Sequence, residues 1–250
     1  MNFFYIIQAK KLKQILLIAT LAFITAWVFY LQDTINATVF STTNGPKAVY
    51  KGEKDLALTF NIGWGDEKAE PILDQLKKEN VKAATFFLSG SWAERHPHIV
   101  ERIVKDGYEI GMLGYNYKDY SVIEDKEIVR DISKAQEAFK KLNIKNIELL
   151  RAPTGHFDKR LLEIGARFGY TIVHWSVDSK DWTNPGVETI VANIEKAKKG
   201  DIVLLHASDS AKQTVVALPS ILQAVNAKNL KLVTVSEMIA NASVKSEEIK

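Results

Sequence analysis

Five short stretches of this 250-residue sequence gather acids, bases, aromatics and glycine, and each closes an apolar run of strand length. They are Thr59-Phe60-Asn61-Ile62-Gly63-Trp64-Gly65, Met112-Leu113-Gly114-Tyr115-Asn116-Tyr117, Arg151-Ala152-Pro153-Thr154-Gly155-His156, Asp178-Ser179-Lys180-Asp181-Trp182, and His206 at the end of Ile202–His206. A histidine beside a carboxylate is a general acid or base. An arginine is a fixed cation with five donors. Trp and Tyr rings offer flat apolar platforms with a polar edge. Each residue alone has a plain structural explanation. His206 ends a strand, Arg151 pairs with a rim carboxylate, Asp178 and Asp181 cap a turn, and Trp64 and Trp182 fill core. Five such loops on one rim argue instead for a shared site.

The elements that position these loops alternate. Strand patterns cover Leu56–Asn61, Lys82–Leu88, Tyr108–Leu113, Ile147–Leu150, Thr171–Trp175, Ile202–His206 and Leu230–Val235. Helical spacing runs through Glu67–Glu79, Pro97–Lys105, Glu124–Leu142, Lys159–Phe168, Val187–Lys198 and Gln213–Asn226. Seven apolar strands separated by helices predict an α/β fold with a parallel sheet buried on both faces. The pattern alone leaves an open doubly wound sheet and a closed barrel equally available.

The formal charge of +3 comes from Lys10, Lys11 and Lys13, since residues 1–31 hold no acid. The remainder is neutral, which argues against a nucleic-acid surface. There is no cysteine, so disulfides, thiolate nucleophiles and thiolate metal sites are excluded. Ile15 to Leu31 is almost wholly apolar, long enough to cross a bilayer, with the lysines on its N-terminal side. An uncleaved single-pass anchor over 1–31 is expected, with the rest of the chain outside the cytoplasmic membrane. The rival is a signal segment cleaved near Ile35-Asn36-Ala37, giving a secreted protein. Residues 32–50 read as a linker, 51–240 as the domain and 241–250 as a polar tail.

The order and spacing of the five stretches resemble the polysaccharide deacetylases of the NodB homology type, carbohydrate esterase family 4, over residues 50–240. The nearest likeness is to their sporulation-type, membrane-anchored PdaB branch. The family's T-F-D-D-G aligns with Thr59-Phe60-Asn61-Ile62-Gly63, and its H-x3-H pair with Leu113 and Tyr117. R-x-P-x-G is intact as Arg151, Pro153 and Gly155. D-x-x-D-W is intact as Asp178, Asp181 and Trp182, and L-x-H as Leu204 and His206.

The resemblance implies an irregular (β/α) barrel and metal-assisted hydrolysis of N-acetyl groups on a glycan. It implies His206 as general acid supported by Asp178. It places Arg151 against the base position, which is Asn61 here, and an oxyanion contact near Thr154. Trp64, Tyr115, Pro153, Thr154, Asp181, Trp182 and Leu204 fall at substrate-binding positions. The family norm is a divalent metal such as zinc, but its three ligand positions are Ile62, Leu113 and Tyr117, so no metal cofactor is expected. His96, His98, His156, His174 and Asp66 have no spacing that demands a metal. Two functions follow: a hydrolase of cell-wall glycan such as peptidoglycan working without the usual site, or an inactive relative binding glycan or a partner. Nucleic acid is not an expected partner.

Overall fold

The computed structural model describes residues 45–241 continuously, with Lys13, Thr20, Phe23, Thr25, Ser41, Thr42 and Lys245–Glu247. The chain divides into two units, 1–39 and 40–250. The anchor or signal segment expected over 1–31 lies outside the described residues, apart from four isolated helical positions. Among the described residues no helix is long and apolar enough to cross a membrane.

In the second unit, β1 (Ala48–Lys51) begins in the stretch expected as linker and runs into the expected domain, with Ala48 and Val49 fully buried. Lys245–Glu247, within the expected polar tail, pairs antiparallel with it. The central strand β2 (Leu56–Ile62) is buried along its whole length. Around it lie β3 (Thr85–Leu88), β4 (Glu109–Met112), β5 (Leu149–Leu150), β6 (Thr171–Ile172), β7 (Val177–Asp178), β8 (Ile202–His206) and β9 (Leu232–Val233). Their order is β6-β5-β4-β3-β2-β8-β7, every pairing parallel, with β9 beside the start of β2.

That order forces curvature. β6 and β7 are the two edges of a seven-strand path, yet four residues, 173–176, join them. Laid flat, the edges would stand about 29 Å apart at ~4.8 Å per strand. The connecting chain reaches at most about 17 Å. The sheet therefore curls into a half-barrel, consistent with the (β/α) barrel expected. The single strand expected at Thr171–Trp175 breaks because the chain crosses the seam there. His174 N donates to Val49 O (2.8 Å) and Ser176 N to Ile202 O (3.0 Å).

Strand parity sorts β2. Leu56, Leu58, Phe60 and Ile62 join the larger apolar cluster beneath the helices, whereas Ala57 joins the interior cluster with Val49, Phe87, Leu113 and Val173. Each fully buried large side chain on the helix side contributes roughly 1.5–3 kcal/mol. The helices are α1 (Ala69–Lys78), α2 (Gly90–Arg95), α3 (Pro97–Lys105), α4 (Asp125–Lys141), α5 (Lys159–Arg167), α6 (Val187–Ile194), α7 (Thr214–Ala227) and α8 (Val235–Ala240). Two of these are absent from the sequence expectation. α2 is too short for periodicity to register; it starts where Ser89 Oγ accepts Trp92 N. α8 opens with a capping box between Thr234 and Glu237. Thr-Val-Ser-Glu is a readable start signal that the apolar run before it obscured.

Candidate active-site cavity

A cavity of 630 Å³ opens at the C-terminal ends of the strands. Asn61, Gly63, Trp64, Tyr117, Pro153, Thr154, Asp178, Trp182, Leu204 and His206 line it, so all five stretches meet around one hollow. Trp64 and Trp182 are each 51 % exposed at its mouth, so neither is core. Gly155 has φ +83°, and a Cβ there would lie 2.4 Å from Trp175, which makes glycine necessary beside that wall. Trp175, Ser208 and Ser210 also line the cavity and were not singled out from sequence, and His174, weighed there only as a metal ligand, lines it with them. His174 and Trp175 read as strand interior, and the break at the seam is what turns them toward the hollow.

The expected pairing of His206 with Asp178 is corrected. His206 Nδ1 donates to Asp181 Oδ1 (2.7 Å), and Asp181 Oδ2 accepts from His206 N (2.8 Å) and Thr214 Oγ1 (2.7 Å). Asp181 is fully buried and does not line the cavity, so its expected contact with substrate is corrected too. Backbone geometry explains both. Asp178 sits in β7, level with Leu204, and its Oδ1 accepts from Lys180 N (2.8 Å). Lys180 is left-handed (φ 55°), which turns the chain so that Asp181 reaches His206. The carboxylate accepts only, so it fixes the proton on Nδ1 and leaves Nε2 as the free ring nitrogen.

Arg151 is fully buried beneath the cavity rather than lining it. Its Nη1 donates to Asn61 Oδ1 (2.8 Å) and Thr59 Oγ1 (3.0 Å), Nε to Val173 O (3.3 Å) and Nη2 to His174 O (3.0 Å). Its guanidinium carbon stands 3.9 Å over the Phe87 ring. Each of these acceptors is neutral. Burial lowers the Arg151 pKa to about 9, so the charge persists at neutral pH without a carboxylate to match it.

The positions where the family places its metal do not fit one here. Ile62 faces the helix-side core and Leu113 the interior apolar cluster, and neither has a donor atom. Tyr117 lines the cavity, and burial raises the pKa of its phenol, keeping it neutral. A Cβ on Gly63 would lie 2.4 Å from the Tyr117 ring, so the ring occupies space that only glycine leaves open. Among the described residues no three His, Asp or Glu side chains converge on a cation position.

The loops are held by carboxylates. Asp209 accepts from the N–H groups of Asp66, Glu67 and Lys68 (3.0–3.1 Å) and so pins the segment that enters α1. Asp66 meets His96 Nε2 (2.7 Å), whose ring stacks on Trp92. His96 is therefore buried and anchors the Trp64 loop, while His98 is exposed. Asp131 accepts from Tyr115 N (2.7 Å), Asn116 N (3.1 Å) and Tyr120 Oη (2.8 Å). Tyr115 does not line the cavity as expected. Its hydroxyl donates to Glu94 (2.8 Å) and Lys134 lies over its ring, which draws it toward α2 and α4. Tyr117, two residues on, stands at the wall in its place. His156 lines the rim, with Nδ1 2.9 Å from Asp119.

A curled parallel half-barrel carrying these motifs at its C-terminal rim is the architecture of the polysaccharide deacetylase family. The model of that family, described as polysaccharide deacetylase, matches residues 48–173, and the chain belongs to the family. A peptidoglycan-N-acetylglucosamine deacetylase of Bacillus cereus is 37% identical over 195 residues, spanning 76% of this chain and 91% of that protein. The crystal structure of a family 4 carbohydrate esterase pseudoenzyme from Bacillus anthracis superposes with a TM-score of 0.72 at 27% identity, covering 78% of this chain and 69% of that one. A peptidoglycan N-acetylglucosamine deacetylase bound to a hydroxamate-type benzamide aligns with a TM-score of 0.72 at 30% identity, over 80% of this chain and 94% of that one.

Proposed function

We propose that this protein is a cell-envelope glycan-binding member of the polysaccharide deacetylase family that does not carry out metal-dependent deacetylation. The observation that carries this reading is the joint replacement at the floor of the cavity. Asn61 cannot take a proton in the useful range, Ile62 and Leu113 turn methyl groups into apolar clusters, and Tyr117 stands as a neutral phenol. Loss of a metal's Lewis-acid role alone removes several kcal/mol of transition-state stabilisation. Trp64 and Trp182 remain at the mouth as sugar platforms. The Bacillus anthracis relative is described as a pseudoenzyme, and a mutant of it as having restored enzymatic activity, so this fold outlives the chemistry in that relative. Two relatives from Bacillus cereus are peptidoglycan-N-acetylglucosamine deacetylases, which favours wall glycan as the ligand class. The apolar N-terminal segment would tether the domain outside the cytoplasmic membrane, and the PdaB-type likeness points to sporulation as the stage.

A second reading, slow hydrolysis by a rearranged site, draws on the retained His206–Asp181 pair. One experiment separates the two. The full-length protein is assayed for acetate release from peptidoglycan and chitooligosaccharides, with and without zinc, and for binding to the same glycans by calorimetry. The expected result is no acetate above background in either condition, with binding weakened roughly tenfold by Trp182→Ala, the scale of a lost aromatic anchor. Acetate release that requires His206 would overturn the non-catalytic reading.

A further inference from the structure

We propose that the cavity takes the carboxylate of a sugar acid, with Arg151 as its buried counter-charge and Asn61 Nδ2 as the donor that meets it. This inference rests on the glycan-binding reading and specifies the ligand.

The orientation of Asn61 follows from its neighbour. A guanidinium only donates, so the amide atom 2.8 Å from Arg151 Nη1 is the oxygen. The NH₂ group points the other way. Asn61 is 2 % exposed and lines the cavity, and among the described residues no group accepts from its Nδ2, which stays open to the hollow. An amide donor that opens onto the hollow is one that a ligand acceptor would meet.

Charge selects the kind of acceptor. An aspartate at position 61 would pair with Arg151 and leave the floor neutral. Asparagine leaves the guanidinium with hydroxyl, amide and backbone carbonyl oxygens, so one full positive charge stays under the hollow. The walls contributed by Tyr117, Pro153, Trp175 and Leu204 are largely apolar, and low-dielectric walls focus that field into the opening. Substituting the base position has thus exchanged a proton acceptor for an anion-facing donor.

The remaining polar wall asks for more than a bare anion. Asp178, the one carboxylate lining the cavity among the described residues, is level with Leu204, which is level with Thr59. That puts it two strands from β2, roughly 10 Å away at ordinary strand spacing. With one oxygen engaged by Lys180 N, it is placed to accept a sugar hydroxyl while repelling a second anionic group. Trp64 and Trp182 at the mouth take the ring face. A pyranose with one carboxylate matches all three features.

The test is calorimetric titration of the full-length protein with sodium glucuronate, glucose and sodium acetate at constant ionic strength. Glucuronate is expected to bind at least tenfold more tightly than either of the others. In Asn61→Asp, Arg151 gains an ionic partner, so the thermal midpoint should rise while glucuronate affinity falls at least tenfold to the level of glucose. A more stable protein that no longer senses the carboxylate separates lost binding from lost folding. Asn61→Leu, which removes Nδ2 without adding charge, should show the same loss of affinity. Equal affinity for glucuronate and glucose, or for glucuronate and acetate, overturns the assignment, as does an Asn61→Asp protein that binds glucuronate like the wild type. Binding of neutral chitooligosaccharide with no gain from a carboxylate sinks this inference and leaves the glycan reading standing. Acetate release requiring His206 sinks the non-catalytic reading beneath it.

Discussion

Asp181 and Asp178 lie three residues apart and do different work, a distinction the D-x-x-D-W spacing does not reveal. Asp181 receives three donors in a fully buried position, two of them from His206. Replacing it with asparagine turns one acceptor into a donor that faces other donors. A buried group left unsatisfied in this way costs about 1–3 kcal/mol, more where a charged acceptor is lost. Asp178→Asn, at the cavity wall with one backbone contact, should stay within about 0.5 kcal/mol, as surface changes do. Urea unfolding of the two variants checks the assignment; equal losses, or a larger loss for Asp178→Asn, would refute it.

The loops that carry the site are fixed by acidic residues on the elements they cross. Asp131 on α4 holds the 114–120 loop through two backbone N–H groups and the buried Tyr120 hydroxyl, while Asp209 does the same for residues 66–68. Asp131→Ala should destabilise the domain by about 3 kcal/mol, because the Tyr120 hydroxyl loses its acceptor in the core. The amides of Tyr115 and Asn116 should exchange markedly faster, and unchanged exchange at those two amides would rule out the clamp. Such clamps also mark the limit of what the sequence discloses. Pro97–Lys105 and Ile202–His206 stand at the bounds the pattern predicts, because apolar periodicity and chain punctuation are local. The Arg151–Asn61 contact was legible through motif order. Tyr115 was misplaced because the partners that turn it away, Glu94 and Lys134, are distant in sequence. Asp181 was misassigned because one left-handed residue, Lys180, reverses the phase of the chain.

At the scale of the molecule, residues 173–176 close the curled sheet, and His174 sits in that closure. Its ring stacks on Trp175 with centroids 3.8 Å apart, and its Nδ1 is buried without a partner. Burial first, then the charges of Arg151 and His156, lower its pKa from 6.5 to about 4. A depressed histidine stays neutral in the folded protein while the unfolded chain begins to bind its proton near pH 6.5. The stability it contributes is therefore complete above pH 6.5 and is lost as the pH falls toward 4. The loss amounts to about 2 kcal/mol between pH 7 and pH 4.5, on the order of 1.4 kcal/mol per pKa unit. The lowered carboxylates act in a separate window. Asp119, held near 2 chiefly by the Ser121 hydroxyl and also by His156, surrenders its contribution only below its ordinary value of 3.8. His174→Phe keeps an aromatic ring on Trp175 and removes the titrating group. Urea midpoints measured at pH 7 and pH 4.5 should converge in this variant while remaining well separated in the wild type. An equal separation in both proteins would show that the acid sensitivity of the fold does not originate at the seam.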